Sequence, residues 1–288
     1  MIAWLNIIIQ GTMTGGLYAM FAVGLSLIFG VMKLVNVAHG DLIVLSAYVA
    51  LIVTETLGLN PLVSLVIVVP VMGLIGYILQ RGLLNRTLGD DLLPPLLVTF
   101  GLSVIIQNGL LALFSADNRR LLAGPIEIAS IQFGDLIRVG VLPLVQLILA
   151  VLVIGGLQIL FYRTSLGRSF RAVSDDPVIS ETMGLNRRHV FGLAMALSLA
   201  VVALAGVLLA IRTNFDPASG PTRLIFGFEA VIIGGLTSFW GTLIGGLFLG
   251  IVQAVAANFD PGWQILAGHI AFLVVLAIRP QGLFGRVT

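Results

Sequence analysis

Residues 5–30 read LNIIIQGTMTGGLYAMFAVGLSLIFG, and no charged side chain occurs anywhere in the first 32 residues. A helix that crosses the hydrocarbon core of a bilayer needs about 20 apolar residues, because each residue advances the helix by about 1.5 Å. This stretch is therefore long enough to span a bilayer. It lacks the basic start and the small-residue cleavage site of a secretory signal, so we expect it to be retained.

The composition of the whole chain has the same character. Hydrophobic residues make up 58% of the 288 residues, charged residues only 10%, and the mean hydropathy is +1.11. Soluble domains carry about a quarter charged residues, so we expect lipid to cover this surface. The 15 basic residues are scattered between apolar blocks, which argues against a nucleic-acid partner. The absence of cysteine excludes disulfides and thiolate metal sites.

Apolar runs predict an all-α, polytopic transmembrane helix bundle of about eight or nine spans, forming a single domain over residues 1–288. The stretch Phe226–Phe259 is too long for one span, and the glycines of Gly234–Gly241 permit a backbone break. We therefore predict two shorter helices there, which makes the bundle one with broken or re-entrant helices. The other predicted spans are Leu5–Gly30, Asp41–Leu57, Leu62–Gln80, Leu96–Phe114, Leu144–Phe161, Val190–Ile211 and Trp263–Ile278.

The distribution of basic residues predicts the orientation, because cytoplasmic loops of membrane proteins carry more Lys and Arg. With the N-terminus outside and the C-terminus in the cytoplasm, cytoplasmic segments hold 10 basic residues and external segments hold 5. This arrangement requires nine crossings, with the Phe226–Phe259 stretch crossing twice. Counting that stretch once gives eight crossings and puts the C-terminus on the side that the charge rule disfavours.

Two polar breaks in the apolar pattern are candidates for a solute path. The first contains Asn36, His39, Gly40 and Asp41, which offer hydrogen-bond donors and acceptors between two apolar spans. An alternative interpretation is structural, with Asp41 as the N-cap of the second helix. The second break contains three further path candidates, Gly234, Gly235 and Ser238.

The longest polar loop runs from Arg163 to His189 and carries five arginines. Asp176 and Pro177 are typical of a helix start, and Gly184 would end the short helix that follows. Such a helix can dock a soluble partner. The alternative is an ordinary solvated connection that follows the charge rule.

The sequence gives no sign of an enzyme. The single lysine, Lys33, follows a methionine rather than the glycine of a phosphate-binding loop. The three histidines are far apart and none forms a His-Glu-x-x-His zinc motif. Glu55 and His269 lie in or near spans; each is a functional candidate by position, or a snorkelling or interhelical hydrogen-bonding group.

Four motifs in this order resemble those of the permease subunits of branched-chain (Leu/Ile/Val) amino-acid ABC importers. The first is similar to the family's Gly-x-Met-x-x-x-Asn-Phe-Ala-His-Gly-Asp segment, with Val37 in place of the usual Phe. The resemblance extends over nearly the whole chain. The matching segments are Gly30–Asp41, Thr164–Arg168 with Arg171–Val173 and Asp175–Asn186, Gly234–Gly250, and Arg279–Gly285.

The resemblance implies a bacterial inner-membrane protein with several partners. It implies a second similar permease, two cytoplasmic ATP-binding subunits and an extracytoplasmic solute-binding protein. The ATPases would hydrolyse ATP, so no catalytic residue, cofactor or metal is expected in this chain. The loop of residues 163–189 would couple the ATPases to the path through Gly167, Arg168, Arg171, Asp176, Pro177, Glu181, Gly184 and Asn186.

Other functions stay open at the level of sequence. Urea and short-amide permeases look similar over the same motifs. A standalone channel or a secondary carrier is a different class, and a carrier should keep ion-coupling carboxylates deep in its spans, where only Asp41 and Glu55 qualify. An intramembrane enzyme would need a nucleophile paired with a base, and no such pair is recognisable.

Overall fold

The computed structural model describes residues 2–89, 91, 93–133 and 137–284, and most of these residues are helical. The α-helices of this part of the chain are α1 (Ile2–Met32), α2 (His39–Leu57), α3 (Pro61–Gly82), α4 (Leu93–Phe114), α5 (Val141–Arg163), α6 (Ser165–Asp175), α7 (Pro177–Thr182), α8 (Arg187–Arg212), α9 (Gly220–Gly234), α10 (Phe239–Phe259) and α11 (Trp263–Ile278). Short 3₁₀ turns occur at Leu84–Arg86 and Gly124–Glu127.

Seven helices in the described ranges are long and apolar enough to cross a membrane, namely α1, α2, α3, α4, α5, α8 and α10. With 15 and 16 residues, α9 and α11 are shorter, about 22 Å and 24 Å against a hydrocarbon core of about 30 Å. These two added to the seven give nine passages through the bundle. The predicted break in Phe226–Phe259 is confirmed, because α9 ends at Gly234 and α10 begins at Phe239.

Connections at one end of the bundle contact one another, and we call this the hairpin end (residues 58–60, 115–133, 137–140, 213–219 and 260–262). The backbones of Arg119 and Phe215 exchange hydrogen bonds of 2.8 and 2.9 Å. Asn60 donates its side-chain amide to the Ala123 carbonyl oxygen over 3.3 Å. α1 also starts at this end, because the Trp4 ring lies 5.9 Å from the ring of Phe259, the last residue of α10.

The opposite end comprises residues 33–38, 81–89, 163–188, 235–238 and 279–284, and we call it the arginine-rich end because these ranges hold eight arginines. The Ser174 hydroxyl donates to the carbonyl oxygen of Gly30, at the end of α1, over 2.8 Å. The Leu283 amide donates to the carbonyl oxygen of Ile233, near the end of α9, over 2.7 Å. The described chain therefore starts and finishes at opposite ends of the bundle, as an odd number of passages requires.

Glycines bring α1 and α10 into close contact at the centre of the bundle. A Cβ atom on Gly15 would fall inside 3.0 Å of the Gly246 carbonyl oxygen, and one on Gly250 would clash likewise with the Gly11 carbonyl oxygen. Gly11 and Gly15 are four residues apart, as are Gly246 and Gly250, and this spacing lets the two helices pack closely within the bundle. Both α1 and α8 are largely buried, whereas α3, α4 and α5 expose most of their apolar surface.

One element was not predicted from the apolar runs. The connection between α4 and α5 contains a small antiparallel hairpin, β1 (Ser130–Phe133) paired with β2 (Ile137–Gly140). Each strand has only four residues, so the alternation of polar and apolar side chains is too short to stand out in sequence. The hairpin lies outside the helical bundle and leaves its all-α architecture unchanged.

Candidate translocation and coupling site

The first polar break lets the chain turn back into the bundle before α2 begins. Residues 33–38 are non-helical, and Lys33, the first residue after α1, has a φ of 52°. Nε2 of His39 lies 2.9 Å from the carbonyl oxygen of Phe21, a residue 11 positions before the end of α1. Because 11 residues of helix span about 16 Å, α2 starts well inside the bundle.

The predicted path residues of this break are buried within the single chain. Asn36, His39 and Asp41 are 1%, 0% and 1% exposed. Asn36 accepts hydrogen bonds from the amides of Ala38 and His39, through its side chain and its carbonyl group respectively. These contacts hold the break in shape.

The interpretation of Asp41 as the N-cap of α2 is wrong. The helix begins two residues earlier, at His39, with Ala38 in the cap position and no side-chain cap. Asp41 lies in the first turn, and its carboxylate accepts a hydrogen bond from the Gln107 side-chain amide over 3.0 Å. It therefore joins α2 to α4.

Gly40 is the point where α2 meets the start of α9. A Cβ atom on Gly40 would lie inside 3.0 Å of the Gly220 carbonyl oxygen, and a Cβ atom on Gly220 would clash with the Asp41 carboxylate. A Cβ atom on Gly40 would meet backbone atoms of Gly220, and one on Gly220 would meet both side-chain and backbone atoms of Asp41, so neither position has room for a side chain. The geometry therefore requires glycine at both positions.

A polar stripe on α4 faces the first break and was missed by the sequence prediction. The Thr99 hydroxyl accepts a hydrogen bond from the Val37 amide over 3.2 Å. Gln107 reaches both Ser103, over 3.2 Å, and Asp41. The signal was present in the sequence, because residues 99, 103 and 107 are spaced four apart and share one face of a helix.

The second break is formed as predicted, around Gly234, Gly235 and Ser238. Gly235 has a φ of 101°, a conformation that L side chains rarely adopt. The Ser238 side chain accepts a hydrogen bond from the Gly241 amide over 3.0 Å and so caps α10. Gly241 belongs to the first turn of α10 rather than to the break.

The C-terminal motif packs on this second break. The Phe284 amide donates to the Gly234 carbonyl oxygen over 3.3 Å, next to the Leu283 hydrogen bond described above. A Cβ atom on Gly282 would fall inside 3.0 Å of Gly235 backbone atoms. Two motifs that lie 45 residues apart in sequence therefore form one structure.

An apolar cavity of about 180 Å³ separates the two breaks. Leu34 and Val35 of the first break line one side, and Leu236 of the second break lines the other. Phe228 and Val231 on α9 complete much of its wall. The two breaks are thus neighbours in space, and the cavity between them has apolar walls that suit aliphatic groups.

The polar loop between α5 and α8 folds into two helices, of which α7 starts where the sequence predicts and α6 was not predicted. Asp176 accepts hydrogen bonds from the amides of Val178 and Ile179, both over 2.9 Å, and Pro177 is the first residue of α7. Gly184 ends this segment with a φ of 88°. Asn186 accepts from the His189 amide over 3.1 Å and caps α8.

The beginning of this loop is fixed to α5 by Gly167 and Arg171. A Cβ atom on Gly167 would overlap the carbonyl oxygen of Phe161, so α6 can turn tightly against α5 only with glycine there. Arg171 donates a hydrogen bond to the same carbonyl oxygen, and its guanidinium carbon lies 5.4 Å from the centre of the Tyr162 ring. Arg168 is exposed on the outer side of α6.

Three large apolar side chains project from the segment around α7. Val178, Ile179 and Met183 are 70%, 58% and 79% exposed, on a connection outside the membrane-spanning helices. Glu181 lies 3.9 Å from Arg187 and is also exposed. An apolar cluster ringed by charges is typical of a surface that binds another protein.

Two cavities lie between the loop of residues 163–189 and the two breaks. One of about 310 Å³ lies between α6, which supplies Arg171, and the second break, which supplies Ser238. Another of about 430 Å³ lies between Pro177 of α7 and Lys33 of the first break. The structure therefore places Arg171 near the second break and Pro177 near Lys33, both at the arginine-rich end. The path candidates His39, Gly40 and Asp41 lie deeper in the bundle and line neither cavity.

A comparison with protein families identifies this arrangement. The family model described as "Branched-chain amino acid transport system / permease component" matches residues 7–278. The chain belongs to this permease family. The resemblance inferred from the four motifs is thereby confirmed.

Individual members of the permease family match over nearly the full chain. The permease protein BraD of the high-affinity branched-chain amino acid transport system of Pseudomonas aeruginosa is 27% identical over 98% of this chain and 96% of its own length. The probable branched-chain amino acid transport permease LivH of Methanocaldococcus jannaschii is 28% identical over 97% and 92%. The permease protein LivM of Escherichia coli is 25% identical over 98% and 72%. No solved structure gives a significant match.

The interpretation of His269 as an interhelical hydrogen-bonding group is confirmed, but the sequence did not indicate its partner, Glu229. Glu229 on α9 has a side chain only 4% exposed, and its carboxyl group shares a hydrogen bond with Nδ1 of His269 on α11. The His269 ring also stacks on Phe226, with 6.5 Å between ring centres. Forty residues separate the two partners, so only the packing of α9 on α11 reveals the pair.

We expect this pair to stabilise the packing of α11 on α9. Replacing Glu229 with alanine removes the partner of His269, and the free energy of unfolding should fall by about 1–2 kcal/mol. Glu229→Gln keeps an acceptor oxygen, so the free energy of unfolding should fall by less than in the alanine variant. Thermal unfolding of the purified protein in detergent measures both changes, and equal losses for the two variants would contradict the hydrogen-bonding role.

Proposed function

We propose that this chain is the permease subunit of an ABC importer that carries branched-chain amino acids across the bacterial inner membrane. Membership of the permease family supports this proposal, and so do the printed names of the full-length relatives. ATP hydrolysis belongs to partner subunits in this proposal. No group of three or more His, Cys, Asp or Glu side chains in the described residues could hold a metal ion.

The single observation that carries the proposal is the position of the coupling loop. α6 is tied to the end of α1 through Ser174 and borders the second break through Arg171. α7 borders the first break through Pro177 and exposes Ile179 and Met183 outwards. A partner that moves this loop would therefore act on both breaks at once.

The partners proposed are two ATP-binding subunits, a second permease and an extracytoplasmic solute-binding protein. The ATP-binding subunits would dock on the exposed cluster of Val178, Ile179 and Met183. The similarity of this chain to relatives named LivH and LivM supports a second permease of the same kind. The exposed apolar faces of α3, α4 and α5 would contact lipid or that second permease.

The proposed path runs beside the two breaks, with the arginine-rich end in the cytoplasm. The bias of 10 basic residues to 5 supports this orientation, which places the N-terminus outside. Asn36, His39, Gly40, Asp41, Gly234, Gly235 and Ser238 would shape the path. Because Asn36, His39 and Asp41 are buried in the single chain, they would act by holding the breaks in position.

Deleting the gene for this chain in its own host tests the transport function. High-affinity uptake of labelled leucine, isoleucine and valine should be lost and should return when the chain is supplied from a plasmid. The same cells should keep their uptake of urea and of glutamate, which serves as the matched control. Loss of urea uptake with normal leucine uptake would contradict the proposed solute class.

A further inference from the structure

The cavity between α6 and the second break has the size of a small-molecule site. Its volume of about 310 Å³ lies at the small end of the range for ligand sites, about 300–1,000 Å³. Four elements enclose it: the ends of α1 and α5, the helix α6, and the turn between α9 and α10. Its size suits a molecule no larger than an amino acid.

Opposite charges line this cavity without neutralising each other. Arg171 and Asp175 are four residues apart on α6 and so lie on the same face of the helix. No ion pair joins them within 4.0 Å in the part of the chain that the structure describes. A guanidinium group has five N–H donors, and a single hydrogen bond, to the Phe161 carbonyl oxygen, is made by Arg171 here.

Two hydroxyl groups in the wall, on the buried Ser26 and the partly buried Ser174, are arranged as acceptors. The Ser26 hydroxyl donates to the Leu236 carbonyl oxygen over 3.1 Å, and the Ser174 hydroxyl donates to Gly30. Each hydroxyl proton is therefore engaged, and the oxygen lone pairs remain to accept hydrogen bonds. Together with the Asp175 carboxylate, they suit an ammonium group.

The remaining wall is aromatic and suits an aliphatic side chain. Phe161 and Phe239 pack edge to face with 5.5 Å between their ring centres, and Trp240 and Phe284 also line the cavity. Burying an aliphatic side chain of the size of leucine against such a surface is favourable, because it removes apolar area from water.

We propose that this cavity binds a free zwitterionic amino acid with an aliphatic side chain. Arg171 pairs with the carboxylate, Asp175 and the serine hydroxyls hold the ammonium, and the aromatic wall holds the side chain. This inference rests on the proposed function and places an amino-acid site at the cytoplasmic mouth of the permease, beside the coupling loop.

The test measures equilibrium binding to the purified transporter complex without its solute-binding protein. Three probes are compared: L-leucine, leucinol, which lacks the carboxylate, and 4-methylpentanoate, which lacks the ammonium. L-leucine should bind about tenfold or more tightly than either analogue, because each analogue leaves one charged group of the cavity unpaired. Equal affinities for the three probes would overturn the proposal.

Substitutions assign each preference to one side chain. Asp175→Asn should abolish the preference for L-leucine over 4-methylpentanoate and keep the preference over leucinol. Arg171→Gln should have the opposite effect, whereas Arg171→Lys should retain part of the carboxylate preference. Glu55→Gln, an exposed carboxylate near the hairpin end, is the matched control and should bind like the parent protein.

The outcomes separate this inference from the transport function. If the host takes up leucine through this system but Asp175→Asn leaves both preferences intact, the cavity is not the site. If uptake of branched-chain amino acids does not depend on the chain, the proposed function fails regardless of the binding result. If Arg171→Gln does not fold, Asp175→Asn and Arg171→Lys still decide the question.

Discussion

The variant Gly40→Ala should lose nearly all uptake of branched-chain amino acids, although it adds a single methyl group. The new Cβ atom would lie inside 3.0 Å of the carbonyl oxygen of Gly220. A carbonyl oxygen of the backbone cannot rotate away as a side chain could, so α2 and α9 must move apart. Overpacking that shifts the backbone costs about 1–3 kcal/mol, and here the contact is short enough to place the cost near the upper end of this range.

The displacement would act on transport because of what surrounds Gly40. His39 and Asp41, its two neighbours, anchor the first break to Phe21 and to Gln107. Separating α2 from α9 would disturb both contacts, and with them the path that we propose beside the break. We therefore expect lower thermal stability together with lost uptake.

Gly30→Ala is the matched control for this prediction. Gly30 also lies in a helix next to the first break, but a Cβ atom there would meet nothing within 4 Å. Uptake by Gly30→Ala should stay close to that of the parent protein at equal amounts in the membrane. If both variants transport equally well, tight contact between α2 and α9 is not required.

The contrast between these two glycines shows where sequence reasoning reaches its limit. Runs without charge predict the spans, because lipid excludes charged groups wherever a helix crosses. The start of α7 was equally predictable, since Asp176 and Pro177 act within one turn of helix. Such local signals involve neighbouring residues and can be read along the chain.

Contacts between distant helices could not be predicted in the same way. Asp41 and Gln107 are 66 residues apart, and Glu229 and His269 are 40 apart. In a membrane protein both the buried and the lipid-facing sides of a helix are apolar, so hydrophobic periodicity does not show which side faces inwards. The mistaken cap assignment of Asp41 has this cause, because its partner is on another helix.

Replacing Ile179 and Met183 together with glutamate should uncouple the permease from its ATPases. Both side chains are more than half exposed, at 58% and 79%, and lie on the loop that borders both breaks. Central apolar residues of a protein interface contribute about 2 kcal/mol or more each, which is about thirtyfold in affinity. The double variant should therefore lose uptake through lost docking.

This loss should leave the folded permease unchanged, which distinguishes it from the Gly40 variant. Thermal unfolding and the amount in the membrane should match the parent protein, because the exposed side chains of Ile179 and Met183 contribute little to the core. Co-purification of the ATPase subunits and solute-stimulated ATP hydrolysis should both fall. Uptake by the single variant Met183→Leu, which keeps the apolar surface, should stay near normal.

Uptake by the double variant decides whether the loop of residues 163–189 is a docking surface or an ordinary solvated connection. A solvated connection that merely follows the charge rule would tolerate two exposed glutamates, since they sit in water in either case. A docking surface would not, because two carboxylates would lose their hydration against an apolar partner. Normal uptake by the double variant would therefore remove the coupling role from α7 and leave the loop as an ordinary connection.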